Sequence, residues 1–476
     1  MEPAAVVIGL SAVVVAVRDG EPVVLTVRPE GQLPGLPFGP FDPDGHRTFE
    51  LALRAFVTAQ TRFDLGYVEQ LYTFGDRGRD APLADMGQGS STARVLSVGY
   101  LALTPTPVDT TGPDTAWADW SRFFPYEDWR EGRPEALDVL EPALRRWAGG
   151  RIEKLSRARL LFALDGAPWN EERVLERYEL LYEAGLAPEA ARDRAEAPGA
   201  PSEALAAALG EPMASDHRRI LATALSRLRG KLKYRPVVFE LMPEAFTLSA
   251  LQRAVEAIAG VPLHKQNFRR ALERAELVEG LGRVDSETGG RPAALDEIEP
   301  ALRRWAAGAP ENLARGRLLF ALDGAPWNEE RVLERYELLY EAGLAPEAAR
   351  DRGEAPGTPS PALAAALGEP MLSDHRRILA TALSRLRGKL KYRPVVFELM
   401  PEAFTLSALQ RAVEAIAGVP LHKQNFRRAL ERAELVEGLG RVDSETGGRP
   451  AELFRFRREA LSARPVSGLA LPLLRD

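Results

Sequence analysis

From residue 5 to residue 17 the chain is apolar at every position except Gly9 and Ser11, and Pro22 to Val27 forms a second run of this kind. Both runs are rich in β-branched valine, and Arg18-Asp19-Gly20-Glu21 lies between them, so the pattern predicts a β-hairpin. A Pro/Gly-rich stretch, Leu33 to Gly45, leads into a helical pattern from Thr48 to Thr61. Strand patterns follow at Tyr67 to Phe74 and Arg94 to Leu103, and the Pro/Thr/Asp-rich Thr104 to Pro113 reads as an exit loop. Residues 1–130 are therefore expected to be α+β.

Beyond residue 130 the hydrophobic period changes from two to that of a helix. Asn170 is placed to cap a helix whose first turn holds Glu171 and Glu172, and Ala184-Gly185 supplies its stop. Val174, Tyr178 and Leu181 form its apolar stripe. Residues 187–212, rich in Ala, Pro and Glu, read as a connector. A further helix spans about Asp216 to Gly230, and Pro236 to Leu241 reads as a short strand.

The chain repeats itself. Leu137 to Pro292 matches Leu295 to Pro450 at a constant offset of 158, with about 12 of 156 positions different, eight of them in the first 22. Copies so alike share one fold, and the period is too long for a solenoid. Gly-Arg-Pro recurs at Gly132, Gly290 and Gly448, which marks the recombination seam. After the last of these the chain reads Ala451 to Phe456, an alternating strand; after Gly290 it enters the second copy instead. The first copy is expected to lack that strand. The predicted organisation is thus 1–130, 131–292 and 293–476.

The last third of each copy carries the chemistry. Thr247 can cap a helix that ends at Gly260, with Phe246 and Leu251 as a hydrophobic staple. A second helix follows from His264 to Ala275, burying Phe268, Leu272 and Ala275 on one face. Its remaining face is polar and basic, the form of a helix-turn-helix, whose second helix fits the major groove. A strand from Leu277 to Val284 and a tip from Asp285 to Gly290 beside Arg291 complete a winged helix. The candidate DNA-binding residues are His264, Lys265, Gln266, Asn267, Arg269, Arg270, Arg274 and Arg291. Their counterparts are His422, Lys423, Gln424, Asn425, Arg427, Arg428, Arg432 and Arg449. A basic amphipathic helix is more often only a solvated surface; the wing and the basic run Arg227, Arg229, Lys231, Lys233 and Arg235 favour DNA, although that run alone suits any polyanion.

Net charge is −6, but residues 1–130 hold 17 acids against 10 arginines and no lysine, while Asp216 to Arg235 holds seven basic residues against one acid. The negative total therefore does not argue against a nucleic-acid partner. No cysteine is present, which excludes disulfides and thiolate chemistry. The longest apolar run, Ala4 to Val17, is too short to span a membrane, so neither anchor nor signal peptide is expected. The turn Asp165 to Asn170 around Trp169 reads as structural, and Gly87 to Ser91 lacks the lysine of a phosphate loop.

In these residues the chain resembles the Nudix-related transcriptional repressors of NAD biosynthesis, the NAD regulator group and its NrtR-type relatives. The resemblance rests on Gly66 to Asp76 and Arg94 to Leu103 in front. Behind, it rests on Lys231 to Pro236, Phe246-Thr247-Leu248, Lys265 to Arg270 and Gly289 to Ala293. It implies an N-terminal Nudix-like α/β/α domain that senses a nucleotide, followed by winged helices that bind operator DNA as a homodimer in the cytoplasm. The implied effector is NAD, ADP-ribose or ATP, with no cofactor required. Nudix hydrolysis needs clustered carboxylates to hold magnesium. Here Phe56, Ala59 and Gln60 stand where the glutamates belong, Ala55 replaces the arginine, and only Glu50 remains. The expectation is a binding pocket with no catalytic or metal-ligating residues; the alternative is a Nudix hydrolase acting on ADP-ribose or a related nucleoside diphosphate. The doubled DNA-binding segment departs from the family.

Overall fold

The structure, a computed structural model, describes residues 6–29, 31–61, 64–76, 94–105, 114–194, 201–232, 237–243, 246–268, 272, 295–325, 327–353, 359–392, 394–443 and 451–457. The chain forms two compact units, 1–279 and 280–476.

The first unit is built on the hairpin. β1 (Val6–Arg18) pairs antiparallel with β2 (Glu21–Val27) through the Asp19-Gly20 turn, where both residues adopt positive φ. β3 (Phe38–Pro40) also pairs with β1, and β4 (Tyr67–Phe74), β5 (Arg94–Leu103) and β6 (Thr115–Asp119) complete a mixed sheet of order β4-β5-β1-β2-β6. β1 and β5 run parallel, from Val6 opposite Arg94 to Val15 opposite Leu103. A strand paired on both edges and covered on both faces reads as a continuous apolar run, which accounts for β1.

Successive side chains of β1 point to opposite faces. Leu10, Ala12 and Val14 pack with Ala52, Leu53 and Val57 of α1 (Phe49–Thr61). Val13 and Val15 join a second core that continues through Trp120, Phe123, Phe124 and Tyr126 into the helices. Those helices are α2 (Ala136–Ala148), α3 (Ile152–Leu161), α4 (Val174–Glu183), α5 (Pro188–Asp193), α6 (Glu203–Leu209) and α7 (His217–Leu232). Sheet and first helical segment therefore share one hydrophobic core.

Three local expectations need correction. Asn170 does not cap α4: its side chain accepts the Glu172 N–H at 3.0 Å in a turn, and the helix starts at Val174. The connector 187–212 carries α5 and α6, because Pro188 stands in a first turn, where its missing N–H costs nothing, and the Ser202 hydroxyl accepts the Leu205 N–H. Val237–Leu241 is a 3-10 helix rather than a strand.

The second unit repeats the helical order, from Leu295–Trp305 to His375–Tyr392. It ends in the helices Leu406–Ala417 and Lys423–Ala433 and a three-stranded sheet of order β7-β9-β8. These strands are β7 (Phe404–Thr405), β8 (Val436–Asp443) and β9 (Ala451–Phe456). The expected return strand is thus β9, antiparallel to β8 with Val436 opposite Phe456. No helix among the described residues is long and apolar enough to cross a membrane.

Candidate nucleic-acid interface

The second unit shows the helix-turn-helix in full. The Thr405 hydroxyl accepts the Ala408 N–H at 3.1 Å, and the first helix ends at Gly418, whose φ of +73° suits a residue without Cβ. The turn is clamped by a pair the sequence reading missed. Gln410 donates to Glu414 and to the Leu421 carbonyl, both at 2.9 Å, and Glu414 accepts the Leu421 N–H at 2.8 Å. The i, i+4 spacing of Gln and Glu in the first helix was the available signal.

Lys423–Ala433 then starts with His422 at its N-cap. Phe426, Ala429 and Leu430 are buried, as their spacing requires. His422, Lys423, Gln424, Arg427, Arg428 and Arg432 are exposed, while Asn425 is half-buried. Buried apolar anchors on one face leave four cations and an amide on the other, a surface matched to phosphates and base edges.

The first copy builds the same turn. Thr247 caps its helix at 3.1 Å, Gly260 ends it at φ +68°, and Gln252, Glu256 and Leu263 repeat the clamp. His264, Lys265, Gln266 and Asn267 are exposed there. Arg269, Arg270, Arg274, Arg291 and Arg449 lie outside the described residues, as do Gly87 to Ser91 and the expected wing of the first copy.

Three of the five cations of the basic run at the end of α7 are engaged inside the unit. Arg229 and Lys231 are buried, at 1% and 3% exposure. Arg229 lies 2.7 Å from Glu127, Lys231 pairs with Glu69, and Arg227 reaches Glu69 at 3.3 Å. These cations neutralise acids contributed by residues 1–130, so the charge asymmetry of the sequence is partly spent inside the unit. Lys233 and Arg235 lie outside the described residues.

Glu127 is the centre of this network. Its carboxylate accepts from Arg177 at 2.5 and 2.8 Å and from Arg229 at 2.7 Å, and all three side chains are buried. Desolvation pulls Arg229 below the usual arginine range, and Glu127 opposes that shift. The Trp129 N–H donates to the Gly260 carbonyl at 2.7 Å, tying the segment after the sheet to the end of the first recognition-motif helix.

On α1, Phe56 packs against Gly39, where a Cβ would lie 3.3 Å from the ring. Gln60 donates to the Phe38 carbonyl at 2.7 Å, Ala59 is exposed, and Glu50 pairs with Arg54 at 2.9 Å. Of the three positions where the resemblance expects a glutamate, Phe56 thus packs on the sheet, Gln60 bonds a backbone carbonyl and Ala59 faces outward.

A capped helix, a clamped turn, a basic second helix and a three-stranded sheet define a winged helix DNA-binding domain. Residues 238–295 and residues 396–456 each match the NrtR DNA-binding winged helix domain. The ADPR responsive transcriptional repressor NtrR of Acinetobacter baylyi is 40% identical over 83 residues, 17% of this chain. The chain spans a third of that relative's length. Among solved structures, Shewanella oneidensis NrtR aligns with a TM-score of 0.34 at 21% identity over 58% of this chain and 90% of its own. A MutT/nudix family protein of Enterococcus faecalis aligns with a TM-score of 0.35 at 16% identity, over 60% of this chain and 85% of its own.

Proposed function

We propose that the chain is a cytoplasmic, NrtR-type transcriptional repressor of NAD-biosynthesis genes, binding operator DNA as a homodimer. The observation that carries this reading is the helix Lys423–Ala433, which exposes Lys423, Gln424, Arg427, Arg428 and Arg432 from a winged helix. In this reading residues 1–130 form a Nudix-like domain that binds a nucleotide and does not hydrolyse it. ADP-ribose is the favoured effector, because the related repressor from Acinetobacter is named for its response to ADPR; NAD and ATP are the others to try. Effector binding acts by preferring one arrangement of the DNA-binding domains over another, since only differential affinity shifts such an equilibrium.

The test is a gel shift of NAD-biosynthesis promoter DNA at physiological salt, titrated with ADP-ribose, NAD and ATP. A specific complex whose affinity changes with one nucleotide is expected. Absence of any specific complex, or magnesium-dependent turnover of ADP-ribose, overturns the reading.

A further inference from the structure

The two copies are nearly the same sequence in different surroundings. In the first, Arg177 and Arg229 close on the Glu127 carboxylate. The Arg177 guanidinium lies 3.8 Å from the centre of the Trp169 ring, and Trp129 stacks on Trp169 with centroids 4.5 Å apart. Glu127 and Trp129 precede the repeated segment, so duplication copied the arginines and the tryptophan but not their acid. The residue 158 positions on, Asp285, falls in the wing sequence of the first copy.

In the second copy the counterparts are Arg335, Arg387 and Trp327. The bonds to backbone recur. Arg335 donates to the Leu319 carbonyl at 3.2 Å and the Asn328 carbonyl at 2.7 Å, as Arg177 does to Leu161 and Asn170. Arg387 donates to the Ile416 carbonyl at 2.8 Å and the Glu329 carbonyl at 2.9 Å, as Arg229 does to Ile258 and Glu171. The Arg335 guanidinium lies 4.0 Å above the Trp327 ring. Among the described residues, no carboxylate bonds either guanidinium. Burial, then the neighbouring Arg387 charge, pushes Arg335 down to about 10.

Arg335 is itself buried, at 8% exposure, and the open surface lies on the flank of the pair. Ile220 and Leu221 are fully buried in the first copy, but Ile378 and Leu379 are 61% and 46% exposed. Arg218 donates to the Phe123 carbonyl at 2.6 Å, a bond with no counterpart at Arg376 among the described residues. We propose that Arg335 and Arg387, beside Trp327, form a binding site for the side-chain carboxylate of an acidic, aromatic peptide segment. The segment Phe123 to Trp129 shows the required chemistry: a carboxylate for the two forks, an aromatic ring two residues on, and the rings of Phe124 and Tyr126, which lie against Tyr178 and Phe162 in the first copy. Two guanidiniums held by backbone carbonyls are a preformed fork for a carboxylate.

The test uses the full chain and a labelled peptide spanning Arg122 to Arg130, read by fluorescence anisotropy, with a second peptide carrying Glu127→Gln. Saturable binding of one peptide per chain is expected, weakened at least about tenfold by Glu127→Gln in the peptide, a loss of about 1.4 kcal/mol. Arg387→Lys in the chain keeps the charge but loses the fork, and is expected to weaken binding likewise. Equal affinity for the two peptides, or undiminished binding to the Arg387→Lys chain, overturns the proposal. Inorganic phosphate at constant ionic strength supplies the other arm: stabilisation by phosphate that the peptide does not displace overturns the carboxylate assignment.

Discussion

The Nδ1 atom of His217 accepts the backbone N–H of Leu36 at 3.1 Å, joining α7 to the loop before β3. An accepting Nδ1 requires a neutral ring. Burial, reinforced by the Arg192 charge, pushes the His217 pKa down to about 4. The folded value lies below the ordinary histidine value near 6.5, so this contribution is fully present above pH 6.5 and lost as the pH falls through 4. We expect stability of the first unit to drop across that window by about 3 kcal/mol at most. The comparison is with His217→Leu, in urea melts from pH 7 to 4. Identical pH dependence in the two proteins would disprove the assignment.

Glu127→Gln leaves Arg177 and Arg229 buried without their counter-charge. Removing one member of a buried ionic network costs about 3–5 kcal/mol, whereas Glu127→Asp retains the charge and costs less. Chemical denaturation of the three proteins, followed by tryptophan fluorescence, checks the order.

Gly260 and Gly418 end the same helix in the two copies, with φ of +68° and +73°. Alanine at either costs about 1 kcal/mol for its backbone alone. At Gly260 the new Cβ would also lie 2.5 Å from the Glu127 carbonyl oxygen, which is backbone and cannot step aside. At Gly418 its nearest neighbour is the end of the Arg387 side chain at 2.8 Å. Gly260→Ala should therefore destabilise more than Gly418→Ala; equal melting shifts would contradict this.

Arg427→Ala with Arg428→Ala removes two cations from the exposed helix face. If both contact phosphates, the slope of log affinity for DNA against log salt should fall by about 1.8. An unchanged slope in filter-binding titrations at several salt concentrations would remove these residues from the interface.

Several strands and caps were legible in the sequence because they are local, although the Asn170 cap and the strand at Pro236 to Leu241 were not among them. The unbroken apolar run of β1, the Asp19-Gly20 turn, the Thr247 cap and the Gly260 stop each follow from neighbours along the chain. So did the exposed face of Lys423–Ala433, which a 3.6-residue period places opposite Phe426 and Leu430. What escaped was set at long range. Arg229 and Lys231 look like a polyanion patch until Glu127 and Glu69, more than 100 residues earlier, are brought onto them. Short helices such as Pro188–Asp193 escaped for another reason: six residues hold too few periods to distinguish a helix from a proline-rich connector.

The helix His217–Leu232 and residues 375–390 spell the same sixteen residues. Digestion yields one peptide mass from two places, with intrinsic amide chemistry that cancels between them. A deuterium-labelling experiment on this chain thus carries its own reference. If coverage by the sheet slows opening of the first helix, that single mass will split into two isotope envelopes, whose spacing reads the protection the neighbours confer.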